Sequence, residues 1–274
     1  MLTTDSNTDP ATKPSSAGVM PSRTDRTENG DVTLQSLGLA TCKQAKALQG
    51  WSIKNHRGRR DILKITAANG KVVFIKRIWQ SDPKNARRSF YKRWTVWSLC
   101  RQEFENYTAL RRAGIGTARP VGYGEQVGLF SERFSYIVTE AADGEPLDER
   151  LARTTDRHTR RRLLLEAGRF VRKVHDAGFA FPDMMPRHIY VRGDDQLSFS
   201  LIDVARLDYG TSIGTKLRAR DFAVMTNNAP TSLARPSDRV RLLQGYGWRE
   251  FPNLIALTRK EANRLLNRRR RKED

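Results

Sequence analysis

Apolar residues fall into short strand-like runs in the first half of the chain and into helix-spaced stripes in the second. Asp61-Ile62-Leu63-Lys64-Ile65 and Val72-Val73-Phe74-Ile75-Lys76-Arg77-Ile78 flank Ala68-Asn69-Gly70-Lys71. Asn-Gly between two β-branched runs predicts a hairpin over 60–78. Residues 83–112 are basic, and Phe104, Tyr107, Leu110 and Arg111 have helical spacing before a glycine stop at Ala113-Gly114-Ile115-Gly116. Two further strands are predicted at 119–125 and 134–140. Asp143-Gly144-Glu145-Pro146 then breaks the pattern and marks an expected lobe boundary. Over 158–176, Leu163, Ala167, Phe170, Val171 and Val174 form the clearest helical face, closed by His175-Asp176-Ala177-Gly178. Short β-rich pieces follow at Ile189-Tyr190-Val191 and Phe199-Ser200-Leu201-Ile202, and the remainder reads as helical. The pattern predicts an α+β chain of two lobes, strand-rich over 31–142 and helical over 143–258.

Composition changes this picture at the ends. Residues 1–30 are rich in Ser, Thr, Asp, Pro and Gly and are expected to form a disordered tail, because too little apolar surface is present to offset ordering entropy. Residues 259–274 are expected to form a basic tail. With 50 Lys and Arg against 30 Asp and Glu, the formal net charge is +20, which calls for an anionic partner. Cys42 and Cys100 lack metal-ligand spacing and are expected to be reduced, partly buried thiols, as in a cytoplasmic protein. Neither a run of eighteen apolar residues nor an apolar signal core occurs, so a soluble or peripheral protein is expected.

Candidate chemistry emerges from the order of charged residues. Phosphoryl transfer needs a cation on the phosphates, an acid to orient it, a carboxylate to receive a hydroxyl proton and a second to hold metal. Lys76 ends an apolar strand, and Glu103 lies 27 residues later in the next helix, with Glu105 as a rival. Asp183 sits in a loop after the clearest helix, His188 follows five residues on, and a strand comes next. Asp203 leaves the apolar Leu201-Ile202 run twenty residues after Asp183. Each residue alone fits an ordinary surface or turn position. Jointly they follow the order and spacing of a protein-kinase-like fold.

Four segments sharpen this. Val73-Phe74-Ile75-Lys76-Arg77 is the first. The second is Glu103-Phe104-Glu105-Asn106, running through Leu110 and Ala113-Gly114-Ile115 to Thr117, Pro120-Val121 and Gly122-Tyr123-Gly124-Glu125. Val174-His175-Asp176-Ala177-Gly178 leading to Asp183 and His188 is the third, and Leu201-Ile202-Asp203 with Arg206 the fourth. Over roughly residues 55 to 245 the chain resembles the lipopolysaccharide core kinases of the Kdo/WaaP type, an outlying branch of the kinase-like superfamily. Where protein kinases have His-Arg before the catalytic Asp, this chain has Phe181-Pro182, and family members commonly keep a basic residue there. His188 replaces the usual metal-binding Asn, as is common in the family, and Asp203-Val204-Ala205 lacks the Phe-Gly of protein kinases. Arg57-Gly58-Arg59-Arg60 occupies the place of the glycine-rich loop with a single glycine.

The resemblance implies ATP-dependent phosphorylation of a heptose or Kdo hydroxyl on the lipopolysaccharide inner core. It implies Asp183 as general base, Lys76 oriented by Glu103 on the α/β-phosphates, and Asp203 with His188 on Mg²⁺. Adenine would meet backbone around Glu140 to Ala142, and Asp221 would anchor the catalytic loop. Location at the cytoplasmic face of a Gram-negative inner membrane follows from that substrate. Arg87-Arg88-Ser89-Phe90-Tyr91-Lys92-Arg93-Trp94 and Arg268-Arg269-Arg270-Arg271-Lys272 would then dock an anionic membrane surface. Nucleic acid is not expected, since no recognition module accompanies the charge. The alternatives are a kinase with a protein or other small-molecule acceptor, and a membrane-associated pseudokinase motivated by Phe181-Pro182.

Overall fold

The computed structural model describes residues 32–56, 59–79, 97–128, 131–227 and 235–273. The expected N-terminal tail, Arg57-Gly58, the basic-aromatic segment 87–94 and the side chains of Arg268–Lys272 lie outside what is described. A five-stranded antiparallel sheet in the order β1-β2-β3-β5-β4 forms the first lobe. Its strands are β1 (Trp51–His56), β2 (Arg60–Thr66), β3 (Val72–Ile78), β4 (Pro120–Val127) and β5 (Glu132–Glu140). The Asn69-Gly70 turn joins β2 to β3 as the sequence predicts, whereas β1 carries no comparable signal. Alternation on β3 separates two functions. Val73 and Ile75 point into a core shared with Phe134, Tyr136 and Val138, while Ile78 belongs to the larger core that continues into the second lobe.

Residues 32–48 cover the outer face of this sheet. Helix α1 (Cys42–Ala47) starts at a capping box in which Thr41 and Gln44 exchange bonds. Arg77 is 7% exposed and donates to the Ala45 and Leu48 carbonyls, both at 2.9 Å, while also pairing with Asp61. The Tyr136 hydroxyl donates to the Leu39 carbonyl at 2.5 Å. Both cysteines are buried free thiols.

Helix α2 (Leu99–Arg112) begins at Ser98, whose hydroxyl accepts from the Arg101 amide, and crosses behind the sheet toward the second lobe. After it, residues 116–118 are stitched to that lobe: the Leu201 amide donates to Gly116 at 2.9 Å and the Ala118 amide donates to Leu201. The second lobe holds β6 (Glu145–Pro146), α3 (Leu147–Arg153), α4 (Arg157–Asp176), β7 (Phe179–Ala180), β8 (Ile189–Arg192), β9 (Ser198–Leu201) and β10 (Asp208–Tyr209). Helices α5 (Thr215–Asn227), α6 (Pro236–Tyr246) and α7 (Leu254–Glu273) complete it. The basic C-terminal run is therefore carried on a helix.

Helix α4 is the second lobe's spine. Asp156 caps it by accepting from the Thr159 amide at 2.7 Å, and its apolar stripe enters the main core. At its end Gly178 takes φ +84°, a left-handed geometry that reverses the chain toward the Asp183 loop. Helix α6 packs on α4 through two glycines. A Cβ on Gly168 would lie 2.2 Å from the Leu242 carbonyl oxygen, and one on Gly245 would lie 2.0 Å from that of Leu165. A buried Arg160–Asp238 pair at 2.7 Å seals this contact. Gly168→Ala is therefore expected to destabilise the protein by about 1–3 kcal/mol in urea unfolding despite alanine's better helix propensity, because backbone must move to admit the methyl group.

Candidate active site

Lys76 lies at the centre of the sheet, paired with Ile62 on one side and Ile137 on the other. Its ammonium donates to Glu103 Oε2 at 2.8 Å and to Asp203 Oδ1 at 2.6 Å. Burial works against the Lys76 charge, but the Glu103 and Asp203 carboxylates more than offset it and hold the group above its ordinary pKa. Burial also pushes the Glu103 carboxyl up, against the pull of Lys76. Glu103 rather than Glu105 makes the pair, since two residues on a helix diverge by about 200°.

The same face of α2 fixes Asp203. Asn106 and Tyr107 follow Glu103 at the i+3 and i+4 positions. The Asp203 amide donates to the Tyr107 hydroxyl at 2.9 Å, and Asn106 Nδ2 donates to the Val204 carbonyl at 2.6 Å. Tyr209 closes the set through its hydroxyl on Asn106 Oδ1. Asp203 adopts φ +53°, a left-handed geometry uncommon outside glycine but tolerated by aspartate. These bonds hold it there.

Asp183 and His188 sit on the facing loop, before and within a 3₁₀ turn (Pro186–His188). His188 Nδ1 lies 2.9 Å from the Asp183 carbonyl and so donates to it, and Nε2 lies 3.9 Å from Asp203 Oδ2. Arg206 Nε donates to Asp183 Oδ2 at 2.7 Å, and its Nη2 pairs with Oδ1. The fold thus brings Lys76, Glu103, Asp203, His188 and Asp183 into one connected constellation. Glu140 and Ala142 lie at the exit of β5. The Glu140 carboxylate pairs with Lys71 at 3.3 Å and Arg119 at 3.7 Å. Its amide donates to the Arg119 carbonyl, and that of Ala141 to Val72.

Residues 43–246 match the lipopolysaccharide kinase (Kdo/WaaP) family. The chain belongs to this family. One relative, the lipopolysaccharide core heptose(I) kinase WaaP of Pseudomonas aeruginosa, is 27% identical over 250 residues, covering 84% of this chain and 91% of the relative. A solved structure of WaaP in complex with acyl carrier protein shares the fold, with a TM-score of 0.61 at 24% identity over 81% of this chain and 91% of that one. Membership makes the protein an ATP-dependent phosphotransferase with an alcohol group as acceptor.

Within this kinase fold, Phe181-Pro182 is accommodated without a basic residue. Phe181 is fully buried, and its amide donates to Asp221 Oδ2 at 2.5 Å. Asp221 also meets His175 Nε2 at 3.2 Å and Arg220 Nε at 2.8 Å. The far side of His175 is bonded to the Tyr246 hydroxyl at 2.8 Å, which accepts from Arg218 Nη1 at 2.7 Å. Asp221, His175, Tyr246 and Arg218 are thus linked in one buried hydrogen-bonded chain, and the loop carrying Asp183 is held from beneath. Sequence reasoning placed Asn106, Tyr107 and His175 in helical or family segments but gave neither them nor Tyr246 a role at the site. Helical spacing from Glu103 could have exposed the first two, whereas Tyr246 meets His175 across 71 residues.

Burial lowers the His175 pKa below its ordinary value, only partly countered by Asp221. The unfolded chain then binds a proton that the folded chain does not, so stability falls as pH drops below about 6.5. Unfolding free energies from urea titrations between pH 7.5 and 5.5 are expected to fall by an additional component of up to about 1.4 kcal/mol per pH unit, absent from His175→Gln.

Proposed function

We propose that the protein transfers the γ-phosphoryl group of ATP to a hydroxyl of an inner-core sugar of lipopolysaccharide, heptose or Kdo. The observation that carries this reading is the Lys76 ammonium between Glu103 and Asp203, opposite the Asp183 loop, in a chain of the lipopolysaccharide kinase family. The heptose(I) activity of the Pseudomonas relative favours heptose.

On this reading Lys76 keeps Glu103 and exchanges Asp203 for the α/β-phosphates. Asp203, whose side chain is 48% exposed, and His188 would be the residues that hold the metal. Asp203 would supply the hard carboxylate oxygen that Mg²⁺ prefers and His188 a softer imidazole nitrogen, with phosphate oxygens and water usually completing the shell. When bound, the ion would neutralise charge across the β- and γ-phosphates. The Glu140 carbonyl and the Ala142 amide would address adenine, because the Glu140 and Ala141 amides are already committed. Asp183 accepts the proton of the acceptor hydroxyl as its oxygen bonds to the γ-phosphorus. The bond from that phosphorus to the bridging oxygen breaks, and its electron pair leaves on ADP.

The substrate reading carries a location at the cytoplasmic face of the inner membrane. No described helix is long and apolar enough to cross a membrane. Arg259, Lys260 and Arg264 on α7 add to the basic run that follows them, and such segments attract anionic lipid by about 1 kcal/mol per residue.

Transfer from radiolabelled ATP to isolated core oligosaccharide tests the reading. Asp183→Asn is expected to lower transfer about 10²–10⁴-fold while keeping the thermal shift induced by ATP and Mg²⁺. Lys76→Met is expected to abolish both. Absence of labelled sugar with the wild-type protein would sink the proposal.

A further inference from the structure

Arg206 occupies both oxygens of Asp183, yet its own side chain is 65% exposed while that of Asp183 is 19% exposed. A guanidinium fork on a carboxylate is about twice as strong as a neutral hydrogen bond and matches phosphate equally well. Lys76 is engaged by Glu103 and Asp203, and Arg220 by Asp208 and Asp221, while Arg187 on the same loop is exposed and meets Met185 Sδ at 3.1 Å rather than Asp183. Arg206 is an exposed, exchangeable cation at the mouth of the site, and it pairs with the group assigned to receive the acceptor's proton.

We infer that Arg206 is a substrate-released latch that selects acceptors bearing an oxyanion beside the reacting hydroxyl. This rests on the reading of Asp183 as proton acceptor. A neutral sugar hydroxyl must displace a bidentate ion pair and leaves the guanidinium without a partner. An acceptor with a nearby phosphate or carboxylate exchanges one fork for another, and Asp183 is freed as its hydroxyl arrives. Water carries no such group, so the latch also suppresses futile hydrolysis of ATP to ADP and phosphate.

The test uses the full chain with delipidated core oligosaccharide in three forms: untreated, phosphatase-treated and carboxyl-methylated. For the wild type, kcat/KM is expected to fall about tenfold for whichever treatment removes the recognised oxyanion. Arg206→Ala is expected to narrow that preference to about twofold and to raise acceptor-free ATP hydrolysis about tenfold. In an Asp183→Asn background the same substitution is expected to leave hydrolysis unchanged. Unaltered preference and unaltered hydrolysis in Arg206→Ala overturn the latch, and so does wild-type behaviour in Arg206→Lys, which keeps the charge but cannot form the fork. If the wild type labels no oligosaccharide, the sugar-kinase reading fails on its own. The latch is then decided by hydrolysis: a rise that requires Asp183 supports it, and no rise rejects it.

Discussion

A buried ammonium needs compensating charge, and the arrangement around Lys76 follows from that need. The Lys76 side chain on the central strand is only 18% exposed, and two carboxylates come to it. Glu103 comes from α2 and Asp203 from beyond β9. To deliver both, α2 must sit against the sheet with one face turned to the second lobe, and the chain after β9 must bend sharply at Asp203. The stripe Glu103, Asn106, Tyr107 meets both demands at once, because residues three and four apart on a helix share a face. One helix thus orients the cation with a carboxylate and fixes the opposing carboxylate by its backbone.

The second lobe meets a different demand. The loop carrying Asp183 and His188 lies at the mouth, with Phe181 and Met184 sunk into the core beneath it. Its support comes from below, where Asp221 accepts from the Phe181 amide while His175, Tyr246 and Arg218 complete the bonding. A buried polar chain of this kind is costly if any member is left unsatisfied, and it therefore specifies one geometry. A bulky apolar Phe181 suits this design. Its ring fills the core, and only its amide is needed for the anchor.

How much of this was legible in the sequence depended on the range of the interaction. Asn69-Gly70 announced the β2–β3 turn, and the Leu163 to Val174 stripe announced α4, because turn chemistry and helical period are local. Lys76, Glu103, Asp183, His188 and Asp203 were legible through order and spacing along one known pattern. The covering segment 32–48 was missed even though Thr41 and Gln44 form a capping box, since a six-residue helix leaves little periodicity to read. The junction of Gly168 and Gly245 was hidden for another reason. A glycine in a helix reads as a defect until the helix that lies against it is known.

The overall charge of +20 and the electrostatics of the site pull in different directions. A basic surface attracts polyanions over distances up to a Debye length, about 8 Å at physiological salt. Inside the site, however, the exposed attraction is quenched: Lys76 is shared by two carboxylates and Arg206 is folded onto Asp183. Substrate entry on the proposed reading is therefore ion exchange rather than simple neutralisation. Nucleotide phosphate replaces Asp203 on Lys76, and the acceptor's oxyanion replaces Asp183 on Arg206. Each exchange releases the carboxylate that the next step uses, one for metal and one for the hydroxyl proton. A site wired in this way holds its acids in check until both substrates have arrived, and it discriminates by charge at the site while the surface supplies only the attraction.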